Sequence, residues 1–159
     1  MKPPDISVDL RTETGDWPDD AEAMAERVIA LALARARADI RGPLEVSVLL
    51  TGDAEQQVIN NDWRGIDKPT NVLSFPQGEP FAPLSGPIGD LSLAFETLVR
   101  EAGELGKPFA EHFAHLLVHG TLHLVGYDHQ TEDQALVMEG LETEILAELG
   151  IADPYADGA

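Results

Sequence analysis

An α+β fold in a single domain is what this sequence predicts: a small mixed β-sheet packed with helices around a central metal-binding helix. Three observations carry that expectation. Short runs of alternating apolar residues are interleaved with longer stretches of helical period. The 159 residues suffice for one hydrophobic core, and there is no cysteine to staple a smaller one. Near residue 120, a helix apolar on two flanks carries a narrow histidine stripe, so it is mostly buried and its stripe faces something polar.

The elements follow in order. Ile6, Val8 and Leu10 alternate with polar neighbours and predict a strand over 5–10. Residues 18–38 are Ala-rich, with Met24, Val28 and Leu31 at helical spacing. Gly42-Pro43 ends that segment, and 44–50 reads as a strand. Asp53 and Gln56 form a capping pair for a helix over 54–63. A short strand over 72–75 stops at Pro76, and residues 76–87, with four prolines and two glycines, form a loop. Strand character resumes over 88–95, followed by a short helix over 96–102.

The next helix, over 108–125, places His112, His115, His119 and His123 within an arc of about 80°. Phe113, Leu116, Leu117 and Leu124 lie on one flank of that arc, Val118 and Leu122 on the other. Thr131 with Gln134 caps a final helix whose apolar stripe is Val137, Leu141, Ile145 and Leu149. Gly150 ends it, and the domain spans 1–159 with a flexible tail from about 152.

Ten Lys and Arg against 29 Asp and Glu give a net charge of −19. From Gln130 to Ala159 there are eight acids and no Lys or Arg. Such a surface aids solubility or attracts a basic partner, and it disfavours broad binding along a nucleic-acid backbone. Any nucleic-acid contact therefore needs a local basic pocket. The first residues, Met1-Lys2-Pro3-Pro4-Asp5, lack the layout of a signal peptide, and no apolar run approaches the roughly 20 residues that span a bilayer. The expectation is a cytoplasmic protein with no membrane contact.

Three of the five histidines share the window His119-Gly120-Thr121-Leu122-His123-Leu124-Val125-Gly126-Tyr127-Asp128-His129. Residues four apart sit one turn above each other, so His119 and His123 point the same way. Gly126 can take the left-handed backbone that ends a helix, and the chain then returns His129. Three neutral imidazoles suit Zn²⁺ with one position open, although Ni²⁺ or Fe²⁺ would also accept them. His115, one turn earlier, fits a place behind the ligands, as does Asp128 beside His129; His112 falls outside the site. The metzincin signature H-E-x-x-H-x-x-G-x-x-H is the nearest general template. The three histidines and the glycine stand at its offsets, but Gly120 occupies the place of the general-base glutamate. Without that base, peptide hydrolysis is disfavoured.

A second motif runs Asn60-Asn61-Asp62-Trp63-Arg64-Gly65-Ile66-Asp67-Lys68-Pro69-Thr70-Asn71-Val72-Leu73-Ser74-Phe75-Pro76. Arg64 and Lys68 are the only basic residues between Arg41 and Arg100. Arg64 offers a planar fork to a phosphate and stabilises developing charge, so it is the candidate catalytic residue; Lys68 adds a point charge for substrate binding. The competing reading pairs Arg64 with Asp62, Asp67 or another acid. Trp63 reads as core packing rather than a base-stacking platform. In a third element, Ile88-Gly89-Asp90-Leu91, the glycine implies close backbone packing and Asp90 a structural polar contact.

Together these three elements, in order and spacing over roughly 44–150, resemble the YbeY family of bacterial endoribonucleases associated with ribosomal RNA maturation. The resemblance implies a small α+β fold, one zinc held by His119, His123 and His129, and Arg64 as the functional arginine of the cleft. It also implies metal-dependent cleavage of single-stranded RNA, ribosomal RNA as substrate and action in ribosome quality control. Its implied partners are the small ribosomal subunit and ribosome-associated proteins, including a GTPase. The strong acidity of this chain fits docking through basic ribosomal proteins better than unaided RNA binding. Two alternatives stay open: a ribosome-assembly factor whose metal is mainly structural, and a metallohydrolase of another substrate.

Overall fold

Alternation in β2 (Ile40–Thr51) builds the centre of the sheet: Leu44, Val46, Val48 and Leu50 are buried, whereas Glu45 and Ser47 face solvent. The computed structural model describes residues 5–155, so the sequence readings that fall on residues 1–4 and 156–159 lie outside the described residues. Strand β1 (Ile6–Thr12) pairs with β2 in parallel. Helix α1 (Ala21–Arg35) lies between them and buries Ala25, Val28, Ile29 and Leu33. Gly42-Pro43 does not precede β2 but lies within it. A shift of register between Ile40 and Leu44 absorbs the proline, which has no N–H for the ladder.

Helix α2 (Asp53–Arg64) leads to β3 (Val72–Pro76), and β4 (Leu84–Ala94) follows. The strand order is β1-β2-β4-β3, with β4 parallel to β2 and β3 antiparallel to β4 at the edge. Helices α3 (Phe95–Leu105), α4 (Phe109–Val125) and α5 (Glu132–Glu148) complete the chain order. The mixed sheet and single α+β domain agree with the sequence expectation, with element ends displaced by a few residues.

The Asp53–Gln56 pair does not cap α2. Gly52 holds the N-cap position, and Asp53 and Glu96 exchange helix caps instead. The Asp53 carboxylate accepts from Thr97 N–H at 3.1 Å, and Glu96 Oε1 accepts from Asp53 N–H at 2.7 Å. Gln56 is buried and donates to the Ser92 carbonyl at 2.8 Å. Because side chains alternate along β4, Ser92 faces α2 while Leu91 faces α4. The two helices therefore cover opposite faces of the β3–β4 end.

Helix α4 is the spine of the core. Phe113, Leu117, Val118 and Leu122 have no exposed surface, as its two apolar flanks require. Gly120 lets it approach the sheet: a Cβ there would meet Leu91 Cδ2 at 2.8 Å and Ser74 Oγ at 3.2 Å. Gly89 does the same from β4, where a Cβ would come within 2.5 Å of the Phe75 carbonyl oxygen. The close backbone packing expected at Ile88-Gly89 is thus present, while Asp90 points to solvent.

Helix α5 begins with the expected capping box of Thr131 and Gln134. Its buried face differs from the expected stripe: Met138, Glu142, Ile145 and Leu146 are buried, and Val137 is 56% exposed. The stripe is rotated because Glu142, a charged residue, is drawn inward by histidine partners on α4. The segment beyond 152, expected to fray, is tied to α5 as far as Tyr155. Asp153 accepts from the Thr143 hydroxyl at 3.1 Å, and the Tyr155 hydroxyl donates to Glu142 at 2.7 Å. Trp63 also departs from expectation. It is 73% exposed on the last turn of α2, with its ring 5.6 Å from Phe75, because α2 covers only the end of the sheet and turns that residue outward.

Candidate metal centre and cleft

His119 and His123 sit one turn apart on α4, and His129 returns from the turn that follows it. Gly126 makes the return possible: its φ is +133°, and a Cβ there would meet Pro80 Cα and Phe81 N at 2.8 Å. Its N–H and that of Tyr127 close the helix on the Leu122 carbonyl at 3.2 and 3.1 Å. The Tyr127 hydroxyl then anchors the turn to the Ala36 carbonyl at 2.7 Å. Asp128 Oδ1 accepts from the backbone N–H of His129 at 2.8 Å, so it shapes the turn that carries that ring.

The three histidines offer ligand nitrogens that all lie within 4.8 Å of one another. The geometry around two of them is more telling. His119 Nδ1 is 3.1 Å from Glu142 Oε2, and His123 Nδ1 is 2.9 Å from the Tyr127 carbonyl. Both partners are acceptors, so each neutral ring carries its proton on Nδ1 and turns the Nε2 lone pair inward. Those two Nε2 atoms are 3.1 Å apart. Two facing lone pairs at that distance repel unless a cation sits between them. Zn–N bonds of about 2.0–2.1 Å in a tetrahedron would set the nitrogens roughly 3.3 Å apart. The residues present therefore fit a transition-metal ion. Burial, followed by the neighbouring His119 and His129, lowers the His123 pKa to about 4, which keeps the ring neutral as a ligand must be.

Glu142 is the residue that the sequence reading missed. Its side chain is 1% exposed and accepts from His119, from His115 at 2.5 Å and from Tyr155. Burial pushes its pKa up, yet the hydrogen bonds from His115 and His119 outweigh it and hold the carboxyl at about 2. His115 thus stands behind the triad through Glu142. His112 lies apart from the triad, as expected, with Nε2 2.8 Å from Glu101 Oε1. A glutamate at core spacing among Met138, Leu141 and Ile145 was the available signal for Glu142.

The triad opens into a cleft of about 570 Å³ whose walls include Ser74, Pro80, Tyr127 and Arg64. Arg64 ends α2, and Gly65 follows at φ +70° as its left-handed cap. The returning loop is pinned by Asn60, which donates to the Lys68 carbonyl at 2.9 Å, and by Gln57, which donates to Asp67 at 3.0 Å. Among the described residues Arg64 makes no ion pair, so the competing pairing with Asp62 or Asp67 is not formed. Lys68 is exposed and does not line the cleft. Gly120 packs against the sheet, so a side chain in its place would collide with Leu91 and Ser74.

Comparisons with known proteins identify the family. The family model described as Endoribonuclease YbeY matches residues 7–150. An endoribonuclease YbeY from Bradyrhizobium sp. (strain BTAi1) is 51% identical over 148 residues, covering 89% of this chain and 87% of its own. Another, from Allorhizobium ampelinum, is 50% identical over 160 residues and covers 95% of each chain. The solution structure of TM1509 from Thermotoga maritima superposes with a TM-score of 0.57 at 23% identity, covering 91% of this chain and 92% of that one. That likeness shows the fold; the sequence matches show the family. With a match over most of its length and relatives at half identity, this chain belongs to the endoribonuclease YbeY family.

Proposed function

We propose that this protein is a metal-dependent endoribonuclease that cuts single-stranded RNA, acting on ribosomal RNA and in ribosome quality control. The observation that carries the reading is the shared cleft: Arg64, unpaired among the described residues, lines the same cavity as His119, His123 and His129. In a chain of net charge −19, a guanidinium with no carboxylate partner among the described residues is suited to meet an anion. The relatives' description as endoribonucleases supports reading that anion as a phosphodiester.

His119, His123 and His129 would hold the metal, with Zn²⁺ the best fit to three imidazoles. When bound, such a cation supplies Lewis acidity toward a phosphoryl group and makes water more acidic at neutral pH. The protein's own groups divide the remaining work. Glu142 and the Tyr127 carbonyl fix the tautomers of His119 and His123. Arg64 grips the phosphodiester and stabilises the charge that develops on it. Lys68, exposed beyond the cleft, meets a phosphate further along the strand. The nucleophile is either water or the substrate 2′-OH, and a cyclic phosphate on the product would identify the latter. The acidic surface suits docking on basic proteins of the small ribosomal subunit in the cytoplasm. No helix of the described residues is long and apolar enough to cross a membrane.

The test sets zinc-loaded protein against single-stranded RNA, double-stranded RNA and casein, with a His123→Ala control. Cleavage confined to single-stranded RNA, and lost in the control, is expected. Cleavage of casein would point to a metallopeptidase, and no turnover at all to an assembly factor with a structural metal.

A further inference from the structure

Trp63 is 73% exposed, on the last helical turn immediately before Arg64. An indole in water is unusual, and this one is not loose. Its ring centroid lies 5.6 Å from that of Phe75, on the neighbouring edge strand, with the planes inclined at 57°. The turn beneath it is fixed by the Gly65 cap and by the bonds from Asn60 and Gln57 to the returning loop. Successive helical residues diverge by about 100°, so Arg64 reaches the cleft while Trp63 turns to Phe75. An aromatic surface packed on Phe75 and a guanidinium that lines the cleft therefore leave adjacent positions of the helix.

We infer that Trp63, backed by Phe75, is the stacking platform for an unpaired nucleobase adjoining the phosphate held by Arg64. The inference rests on the reading of the cleft as an RNA site. Charge explains the need for it. A chain of net charge −19 gains little from general attraction to phosphates, whereas stacking on an aromatic face is independent of charge and tolerant of sequence. The platform also discriminates by strandedness. A base in a duplex is already stacked and paired, so only a splayed base reaches an indole standing outside the cleft. Preference for single strands thus has a named side chain.

The experiment uses the zinc-loaded full chain and its Trp63→Ala and Trp63→Phe variants, with cleavage of a single-stranded RNA measured as kcat and KM. Trp63→Ala should raise KM about tenfold, the effect of one lost stacked base, with kcat little changed. Trp63→Phe should recover most of that loss. Because Trp63 is exposed, folding does not depend on it. Binding is read separately by fluorescence, since the other tryptophan, Trp17, is 7% exposed and gives a constant background. A 2′-O-methyl single strand should quench Trp63 emission, and an abasic strand of equal phosphate count should not. An unchanged KM in Trp63→Ala, or equal quenching by the abasic strand, overturns the platform alone. If the wild type cleaves no RNA, the reading of the cleft falls with it.

Discussion

The two walls of the cleft are built differently. On the inner wall, His119 and His123 project from the buried helix α4, and each ring is held at Nδ1 by an acceptor that is itself fixed. Glu142, behind them, is buried in α5 and shared with His115 and Tyr155. On the outer wall, Arg64 is exposed and sits where α2 ends, at the Gly65 cap. The difference fits the tasks proposed for them. Groups that bind a small cation must converge within a fraction of an ångström, so they need rigid support from packed helices. A group that grips an arriving strand needs access, and a helix terminus supplies it.

The largest effect expected on the inner wall is loss of the metal. His123→Ala should reduce bound metal from about one ion per chain to a small residue by elemental analysis, and RNA cleavage to background. Metal retained in full would show that the inner wall is not the binding site. On the outer wall, Arg64→Glu should abolish cleavage while leaving metal content and melting temperature unchanged, because Arg64 is exposed and unpaired among the described residues. Loss of metal in that variant would blur the division between the walls. A smaller effect is expected behind the inner wall. Glu142→Gln should weaken metal affinity by about 10–100-fold in a chelator competition; unchanged affinity would remove Glu142 from the support of His119.

The smallest effects compare the two faces of α5. Met138→Ala should cost about 2–5 kcal/mol in urea unfolding, as truncation of a buried side chain does. Val137→Ala, at a 56% exposed position, should stay within about 0.5 kcal/mol. Similar costs for both would mean that the buried face of α5 is not the one with Glu142 at its centre.

What the sequence made legible was governed by local spacing. The H-x3-H pair, the Gly126 turn, the Thr131–Gln134 box and the alternation of β2 depend on near neighbours, and each is found in the structure. What escaped depends on residues far apart. Glu142 is drawn inward by histidines more than twenty positions earlier, which rotates α5 and exposes Val137. Asp53 caps a helix that begins over forty residues later rather than its own. Trp63 reads as core because tryptophan usually is, and only the position of α2 at the end of the sheet shows it facing water.

One metal in the histidine triad and Arg64 are proposed to act on one phosphodiester in the same cleft. Titration of Zn²⁺ into chelator-treated protein, with cleavage of a single-stranded RNA followed at each addition, tests it most directly. Activity should rise from background and saturate at one equivalent per chain, while Arg64→Glu binds the same equivalent and stays inactive. Full cleavage by the metal-free protein, or by Arg64→Glu, would contradict the account.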